Sequence, residues 1–228
     1  MQKIHFEIID STNTYGKSIL RSGNFQCPTL ITATRQTGGR GRNNRSFFSE
    51  GGLYMSLLLD SHNPTFPITC AAAVAVKQCI FEVYGIDLSI KWVNDLFYNH
   101  KKVCGILTEA VTDENSILKG FVCGIGLNTQ NTVLPDPLKE IATTLPVPKE
   151  GLAEKIAEKI LTFYRSDYPV MPLYKEGLLL NLKVNAYQND AFLFSGTAVD
   201  INENGNLLVE TEDGLQTLTS GEISIKLS

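Results

Sequence analysis

The stretch between residues 88 and 127 constrains the fold most, because several strand-forming segments follow one another there without a helical pattern between them. These segments are residues 88–92, 95–98, 103–111 and 117–127. The connection at residues 99–102 is typical of a hairpin. Strands without an intervening helix favour antiparallel pairing, and helical patterns lie before and after this run. The sequence therefore predicts an α+β fold, with a mixed or antiparallel central sheet flanked by helices.

The rest of the chain supplies the other elements. Predicted strands cover residues 3–9, 29–34 and 53–59, and predicted helices cover a short segment ending near Arg21 and residues 68–84, 150–164 and 171–180. After residue 183, short alternating strands with Asn204-Gly205 and Asp213-Gly214 turns predict a small β-barrel or sheet. We therefore predict two domains, residues 1–181 and residues 182–228.

The composition excludes several classes of protein. Of the 228 residues, 43% are apolar and 19% are charged, as in soluble globular proteins, and the net charge of −4 argues against a general nucleic-acid binder. The N-terminus lacks the apolar core of a signal peptide, and the longest apolar run, residues 70–76, is too short to span a membrane. Five scattered cysteines without a Cys-x-x-Cys pair indicate reduced thiols in a cytoplasmic protein.

Residues 35–49 form a segment rich in glycine and arginine between two predicted strands. Three glycines and four arginines make a regular helix or strand unfavourable, so we predict a flexible cationic loop. Glycine lets backbone N–H groups approach a ligand, and arginine offers a planar fork of donors to a phosphate or carboxylate. An ordinary solvated loop and a single-strand nucleic-acid contact are the alternatives.

Other polar residues interrupt the apolar segments. Ser11-Thr12-Asn13 is either the N-cap of a helix or a contact to a polar ligand group. No Walker A sequence is present, and Gly124-x-Gly126 lacks the third glycine and the helix of a dinucleotide fold. A phosphoryl-anhydride site of another type needs fixed cations and amides that read a base. The candidate cations are Arg40, Arg42, Arg45 and Lys102, and the candidate amides are Asn94 and Asn128.

Four motifs in this order and spacing resemble those of the biotin protein ligases, the biotin–acetyl-CoA-carboxylase ligases. They are Gly39-Arg40-Gly41-Arg42 with Arg45, Lys91-Trp92-Val93-Asn94-Asp95, Lys102-x-x-Gly105-Ile106-Leu107-x-Glu109 and Gly126-Leu127-Asn128. Ser11-Thr12-Asn13 and Gln36 match too, and Ser220-Gly221-Glu222-Ile223-Ser224 resembles the final strand of that family. The resemblance extends over nearly the whole chain.

This resemblance implies a fold and a reaction. The fold is a catalytic domain like those of class II aminoacyl-tRNA synthetases and biotin ligases, followed by a small SH3-like β-barrel. The reaction is activation of biotin by ATP, with Mg²⁺, to biotinyl-AMP, and then transfer to one lysine of a biotin carboxyl carrier domain. Because no helix-turn-helix segment precedes the catalytic domain, the chain resembles the monofunctional ligases that do not bind DNA. Members of the family are monomers or homodimers.

The resemblance also implies the roles of individual residues. Those implied to bind biotin are Ser11, Thr12, Asn13, Gln36, Gly39, Arg40, Gly41, Arg42, Lys102 and Gly105. Those implied to bind ATP or the adenylate are Arg40, Arg42, Arg45, Phe47, Asn94, Asp95, Lys102 and Asn128. The catalytic residues are Lys102, Arg40 and Arg42. The metal ligands and the general base of the transfer step are not identified by the sequence, and Asp95 is a candidate base or a structural cap.

Two departures from the family pattern stand in these motifs. Asn43-Asn44 and Phe47 replace the usual glycine and following aromatic residue of the loop, which implies altered loop kinetics. Val93 replaces the usual proline of the Lys-Trp-Pro-Asn-Asp motif. The nearest alternative function is a lipoyl or octanoyl ligase or transferase that acts on a similar carrier lysine. A nucleic-acid or protein-binding module is the alternative from another class.

Overall fold

The computed structural model describes residues 1–23, 26–42, 45–189, 191–219 and 223–227. Two parts of the sequence interpretation lie outside these residues: the Asn43-Asn44 pair, and Ser220-Gly221-Glu222 at the start of the predicted final strand. Within the described ranges, no helix is long and apolar enough to cross a membrane.

The described residues form five α-helices and twelve β-strands. The helices are α1 (Thr12–Ser22), α2 (Ile68–Tyr84), α3 (Asp136–Lys139), α4 (Leu152–Arg165) and α5 (Met171–Gly177). The strands are β1 (Gln2–Ile9), β2 (Thr29–Gln36), β3 (Glu50–Leu59), β4 (Ser89–Lys91), β5 (Asp95–Tyr98), β6 (Lys101–Thr112), β7 (Leu118–Leu127), β8 (Leu182–Gln188), β9 (Ala191–Ile201), β10 (Leu207–Thr211), β11 (Gly214–Leu218) and β12 (Ile223–Leu227).

The central sheet has seven strands in the order β1-β2-β3-β7-β6-β5-β4. β1 pairs parallel to β2, and all other neighbouring strands of this sheet pair antiparallel, so the sheet is mixed. The four strands β4 to β7 follow one another without a helix, as the sequence predicted. The predicted α+β class is therefore confirmed.

Helices cover both faces of this sheet. In β3, the fully buried Leu57 packs in the main core together with α2 and α4, and its neighbour Leu58 packs in a smaller core under α1. Successive strand residues point to opposite faces, which explains the split. Gly16 lets α1 approach closely, because a Cβ atom there would stand 2.8 Å from Leu58 Cδ2. α1 is thus held tightly against the sheet, with its N-terminus at a fixed place.

The second sheet has five antiparallel strands in the order β11-β10-β9-β8-β12. Gly205 and Gly214 adopt left-handed φ angles of 74° and 108° in its turns, where the sequence placed Asn-Gly and Asp-Gly. Buried residues of this sheet, such as Val184 and Leu207, belong to the same apolar cluster as α2. The C-terminal part is therefore a separate sheet that shares the main core, and the division at residues 181–182 stays a prediction.

All five cysteines are free, and four of them are buried. Burial raises the pKa of the Cys123 thiol to about 12. The buried thiols therefore stay protonated and pack as small apolar groups.

Candidate active site

A cavity of about 340 Å³ opens above β6 and β7, between the N-terminus of α1 and the glycine- and arginine-rich loop. In its floor, Gly105 of β6 pairs with Gly126 of β7, and Leu107 pairs with Gly124. The predicted site residues that line it are Ser11, Thr12, Asn13, Gln36, Arg40, Gly41, Arg42, Arg45, Phe47, Asn94, Asp95, Lys102, Gly105 and Asn128. Residues far apart in sequence thus converge on one space.

One end of the cavity is polar and uncharged. Ser11 caps α1, because its Oγ accepts a hydrogen bond from the Thr14 N–H at 3.4 Å. The Thr12 N–H donates to Gln36 Oε1 at 2.8 Å, and Gln36 Nε2 donates to Ser49 Oγ at 2.9 Å. The sequence left open whether Ser11 to Asn13 form a cap or a ligand contact. Ser11 is the helix cap, and all three residues line the cavity.

Two glycines in β7 make room for side chains that come from elsewhere. A Cβ atom on Gly124 would stand 2.1 Å from Asn13 Oδ1, and one on Gly126 would stand 2.4 Å from Cε1 of Phe47. Asn13 is nearly buried, and Ser56 Oγ donates to its Oδ1 at 2.6 Å. The Gly-x-Gly pattern, which the sequence marked as a weak dinucleotide signature, therefore clears the cavity floor.

The predicted flexible loop is a narrow extension of the β2–β3 hairpin. The Phe47 N–H donates to the Gly39 carbonyl at 2.9 Å, and the Gly41 N–H donates to the Arg45 carbonyl at 2.7 Å. Gly39 is the predicted site residue that does not line the cavity in the described chain. A Cβ atom there would stand 2.4 Å from the Phe47 carbonyl, so its close approach is to the returning limb of the loop. The resemblance implied that Gly39 binds biotin, and that role stays a prediction.

Phe47 lies on the floor of the cavity. Its ring stands over Gly126 and close to Gly105, and it meets Tyr54 edge-on with ring centroids 6.4 Å apart. Burial raises the pKa of Tyr54 to about 12, so this neighbour is neutral. The resemblance implied that Phe47 binds ATP or the adenylate, and in the described conformation its ring covers the middle of the sheet floor.

The other end of the cavity is cationic. The described lining contains five cations and one carboxylate; the cations are Arg40, Arg42, Arg45, Lys91 and Lys102, and the carboxylate is Asp95. Lys102 Nζ lies 2.7 Å from Asp95 Oδ1, and both side chains are partly exposed. Burial lowers the pKa of the Arg42 guanidinium, although an arginine stays charged at neutral pH. This end is suited to a phosphate or a carboxylate.

The turn that carries Asp95 is fixed by contacts from three directions. Asn94 Nδ2 donates to the Ile106 carbonyl at 2.7 Å, and the buried Tyr174 hydroxyl donates to the Val93 carbonyl at 2.8 Å. Trp92 Nε1 donates to the Gly205 carbonyl of the second sheet at 2.9 Å. The Trp92–Val93 peptide bond, at the departure from the family motif, is cis. Asp95 is therefore presented to Lys102 by a rigid turn.

Comparison with known proteins identifies the family. The model of the Biotin/lipoate A/B protein ligase family matches residues 5–128, and the model of the Biotin protein ligase C terminal domain matches residues 184–226. The chain belongs to the biotin protein ligase family. One relative is the bifunctional ligase/repressor BirA of Bacillus subtilis. Its sequence is 34% identical to this chain, over 97% of this chain and 73% of that protein. BirA of Escherichia coli is 26% identical over 96% of this chain and 72% of that protein.

Solved ligase structures have the same fold. The biotin protein ligase from Aquifex aeolicus, in complex with biotin and ATP, superimposes with a TM-score of 0.83 at 27% identity, covering 100% of this chain and 99% of that chain. The ligase from Leishmania major in complex with biotinyl-5-AMP has a TM-score of 0.68 at 23% identity, covering 96% and 99% of the two chains. The predicted family and fold class are thereby confirmed. The monofunctional type stays a prediction.

The cavity of this ligase family member also contains residues that the sequence did not predict. Leu134, Leu138 and Ile141 line it from the segment around α3, and Ile225 lines it from β12. Ser56 lies behind the lining, and its hydroxyl bonds both Thr12 and Asn13. The pattern of the chain contained no signal for these residues, because tertiary packing brings them to the site from distant segments.

Proposed function

We propose that this chain is an ATP-dependent biotin protein ligase that forms biotinyl-AMP in the described cavity and transfers the biotinyl group to a carrier lysine. The observation that carries the proposal is the order of three regions in one cavity along the paired strands β6 and β7. Its uncharged polar end lies at Gly124, its apolar middle at Gly126, and its cationic end near Asn128 and Lys102. Four residues of strand span about 13 Å. Biotin has the same order of groups: a cyclic urea, an aliphatic chain and a carboxylate.

The names of the relatives and the solved complexes support this assignment. Lipoate and octanoate, the substrates of the alternative function, have no urea group to use the hydrogen-bonding end formed by Thr12, Asn13 and Gln36. The match to a biotin ligase C-terminal domain over residues 184–226 points in the same direction. Biotin is therefore the favoured substrate.

In the first half reaction, a biotin carboxylate oxygen bonds to the α-phosphorus of ATP, and the bond from that phosphorus to the pyrophosphate oxygen breaks. The reaction brings two anions together, so fixed cations lower its barrier. Lys102 is held by Asp95 at 2.7 Å on one side, and Arg40 and Arg42 enter from the loop. We assign these three residues to the reacting carboxylate and the phosphates.

Mg²⁺ belongs to the proposal as the counter-ion of ATP. No group of three or more His, Cys, Asp or Glu side chains in the described chain is placed to hold a metal ion. In nucleotide sites, Mg²⁺ is usually held by the phosphates and by only one or two protein carboxylates. The single carboxylate in the described cavity lining, Asp95, fits such a site. When bound, Mg²⁺ neutralises the departing pyrophosphate.

In the second half reaction, a lysine amine of a biotin carboxyl carrier domain attacks the activated carbonyl, and AMP leaves. With a pKa of about 10.4, roughly one in two thousand such amines is neutral at pH 7, so the site must accept a proton. Asp95 Oδ1 already contacts Lys102, which makes positioning of Lys102 its first role. Asn94 and Asn128, whose amides hold backbone carbonyls, complete the adenylate side.

The direct test supplies ATP, Mg²⁺ and biotin, with and without a biotin carboxyl carrier domain, and measures pyrophosphate release and carrier mass. Biotin-dependent pyrophosphate and a carrier heavier by one biotinyl group are expected. Lipoate and octanoate are run in parallel. Activity with either acid and none with biotin would reverse the assignment, and no acid-dependent activity would refute it.

Replacing Arg40 by alanine is expected to raise KM for both biotin and ATP by about tenfold to a hundredfold, because a charge-assisted hydrogen bond contributes roughly 1.5 to 3 kcal/mol. The matched control is Arg35→Ala, since Arg35 is exposed, does not line the cavity and, although it begins the predicted loop segment, lies in strand β2. Steady-state pyrophosphate release measures both constants. Equal constants for the two variants would remove Arg40 from the site.

Several accompanying predictions concern the setting of the reaction. We propose a cytoplasmic location, which the five free cysteines support. We also propose that residues 1–181 form the catalytic domain and residues 182–228 a small domain that closes it. A homodimer and the lack of DNA binding stay predictions, which analytical ultracentrifugation and a DNA mobility-shift assay test.

A further inference from the structure

The amide of Asn13 is the best-fixed polar group at the uncharged end of the cavity. Its Nδ2 donates to Glu109 Oε2 at 3.0 Å and to the Leu107 carbonyl at 3.2 Å. Its Oδ1 accepts from Ser56 Oγ at 2.6 Å. Asn13 is 7% exposed, so water offers few alternatives to these partners. The two protons on Asn13 Nδ2 are therefore used by Glu109 and Leu107, and neither is directed at Ser56.

The chemistry of these partners leaves one orientation for the amide. A backbone carbonyl and an ionised carboxylate only accept hydrogen bonds, so the NH₂ group must face Glu109 and Leu107. The carbonyl oxygen must then face Ser56 and Gly124. Ser56 alone does not decide the orientation, because a hydroxyl both donates and accepts. The Leu107 carbonyl is part of β6, and Glu109 is the side chain that completes the selection.

Glu109 itself stands behind the site. It does not line the cavity, and its Oε1 lies 2.6 Å from Lys17 Nζ of α1, with 29% of the Glu109 side chain exposed. Lys17 balances the negative charge, so the carboxylate can stay next to the amide. The sequence singled out Glu109 only as the last residue of a motif, without a role.

From these contacts we infer that Glu109 is a positioning residue for biotin recognition. It fixes the Asn13 amide so that Oδ1, and not the NH₂ group, is presented to the urea ring, whose N–H groups need acceptors. The inference rests on the proposed function. It adds a specificity determinant outside the cavity wall, and it concerns the binding of the ring and not the chemistry at the carboxylate.

The arrangement continues across the polar end as a chain of hydrogen bonds. Ser56 Oγ lies 2.7 Å from Thr12 Oγ1, and Thr12 Oγ1 lies 3.1 Å from Gln36 Oε1. Thr12 and Ser56 each have one hydroxyl proton: Thr12 donates its proton to Gln36 Oε1, and Ser56 donates its proton to Asn13 Oδ1. An amide flipped at Asn13 would place a donor against the Ser56 hydroxyl and change this chain. The contact of Glu109 with the Asn13 amide therefore also affects the hydrogen bonds of Ser56, Thr12 and Gln36 at this end of the cavity.

Biotin titration calorimetry on the intact chain, combined with steady-state kinetics, tests the inference. Glu109→Leu removes the acceptor and is expected to weaken biotin binding between about fivefold and a hundredfold, with KM for ATP and kcat changed less than about twofold. The control Glu154→Leu also removes a glutamate that pairs with a lysine, Lys3 at 3.2 Å, and is expected to bind biotin normally. Glu109→Gln combined with Lys17→Met restores an uncharged acceptor and is expected to recover most of the affinity.

The outcomes are distinguishable. If the unaltered chain binds biotin and Glu109→Leu binds it equally well, the positioning role is refuted and the proposed function stands. If Glu109→Leu raises KM for ATP as much as the dissociation constant for biotin, the change is general damage and the inference is also refuted. If the unaltered chain does not bind biotin, the proposed function fails, and the inference fails with it.

Discussion

Replacing Lys102 by alanine is expected to slow formation of biotinyl-AMP by about a hundredfold to a thousandfold, the usual effect of removing one fixed donor from developing charge. Lys102 Nζ lies in the cavity, 2.7 Å from Asp95 Oδ1. The alanine variant loses the cation and also leaves the Asp95 carboxylate, 21% exposed, without its partner. An uncompensated negative charge then repels the biotin carboxylate and the phosphates. Single-turnover pyrophosphate release measures the loss.

The chain offers a close control for this experiment. Lys101 is the preceding residue of β6, but its Nζ donates to the Lys139 carbonyl at 2.6 Å and it does not line the cavity. Lys101→Ala is expected to turn over at the normal rate. If Lys102→Ala and Lys101→Ala behave alike, the cationic end has been assigned to the wrong lysine. Thermal unfolding of both variants shows whether the fold is intact.

Replacing Gly124 by alanine is expected to weaken biotin binding by roughly a hundredfold or more, because overpacking and a lost buried hydrogen bond each cost about 1 to 3 kcal/mol. The new methyl group would stand 2.1 Å from Asn13 Oδ1 and 2.7 Å from its Cγ. Asn13 cannot keep its place, so the cavity loses the acceptor and part of its floor. Calorimetric titration with biotin measures the effect.

A double-mutant cycle separates the clash from other causes. In an Asn13→Ala background the amide is absent, so Gly124→Ala is expected to cause little further loss. Additive losses in the double variant would contradict the proposed clash. Cys123→Ser, at a neighbouring position of β7 whose side chain is buried in the main core, separates damage to the strand from damage to the cavity.

The fold followed from the sequence where local patterns and tertiary packing agree. Helix α2 occupies the predicted residues 68–84, because its small apolar side chains are buried and Gly85 ends it in a left-handed conformation. Strand β3 begins at Glu50, three residues before the prediction. Gly51 and Gly52 have low strand propensity, but here they allow close packing against residues 131–132. Propensity alone therefore underestimated β3.

The site followed from motifs only in part. Ser11 to Asn13, Gln36, the loop arginines and Lys102 meet in one cavity, and the resemblance supplied that grouping. Ser56 was missed because a buried serine has no local signature of a site, and Gly124 was noted only as part of a weak Gly-x-Gly pattern, without a role in the site. The position of Phe47 was also beyond prediction, since it depends on the space above Gly126.

The second sheet has a consequence for how substitutions in the chain are interpreted. Ile225 of β12 borders the cavity, and Gly205 holds the indole of Trp92 beside the Asp95 turn. Residues of the two segments matched by family models, 5–128 and 184–226, thus line one cavity jointly. If the proposed site is correct, a variant near the C-terminus and a variant in the arginine loop are expected to cause the same catalytic defect, although about 180 residues of chain separate them.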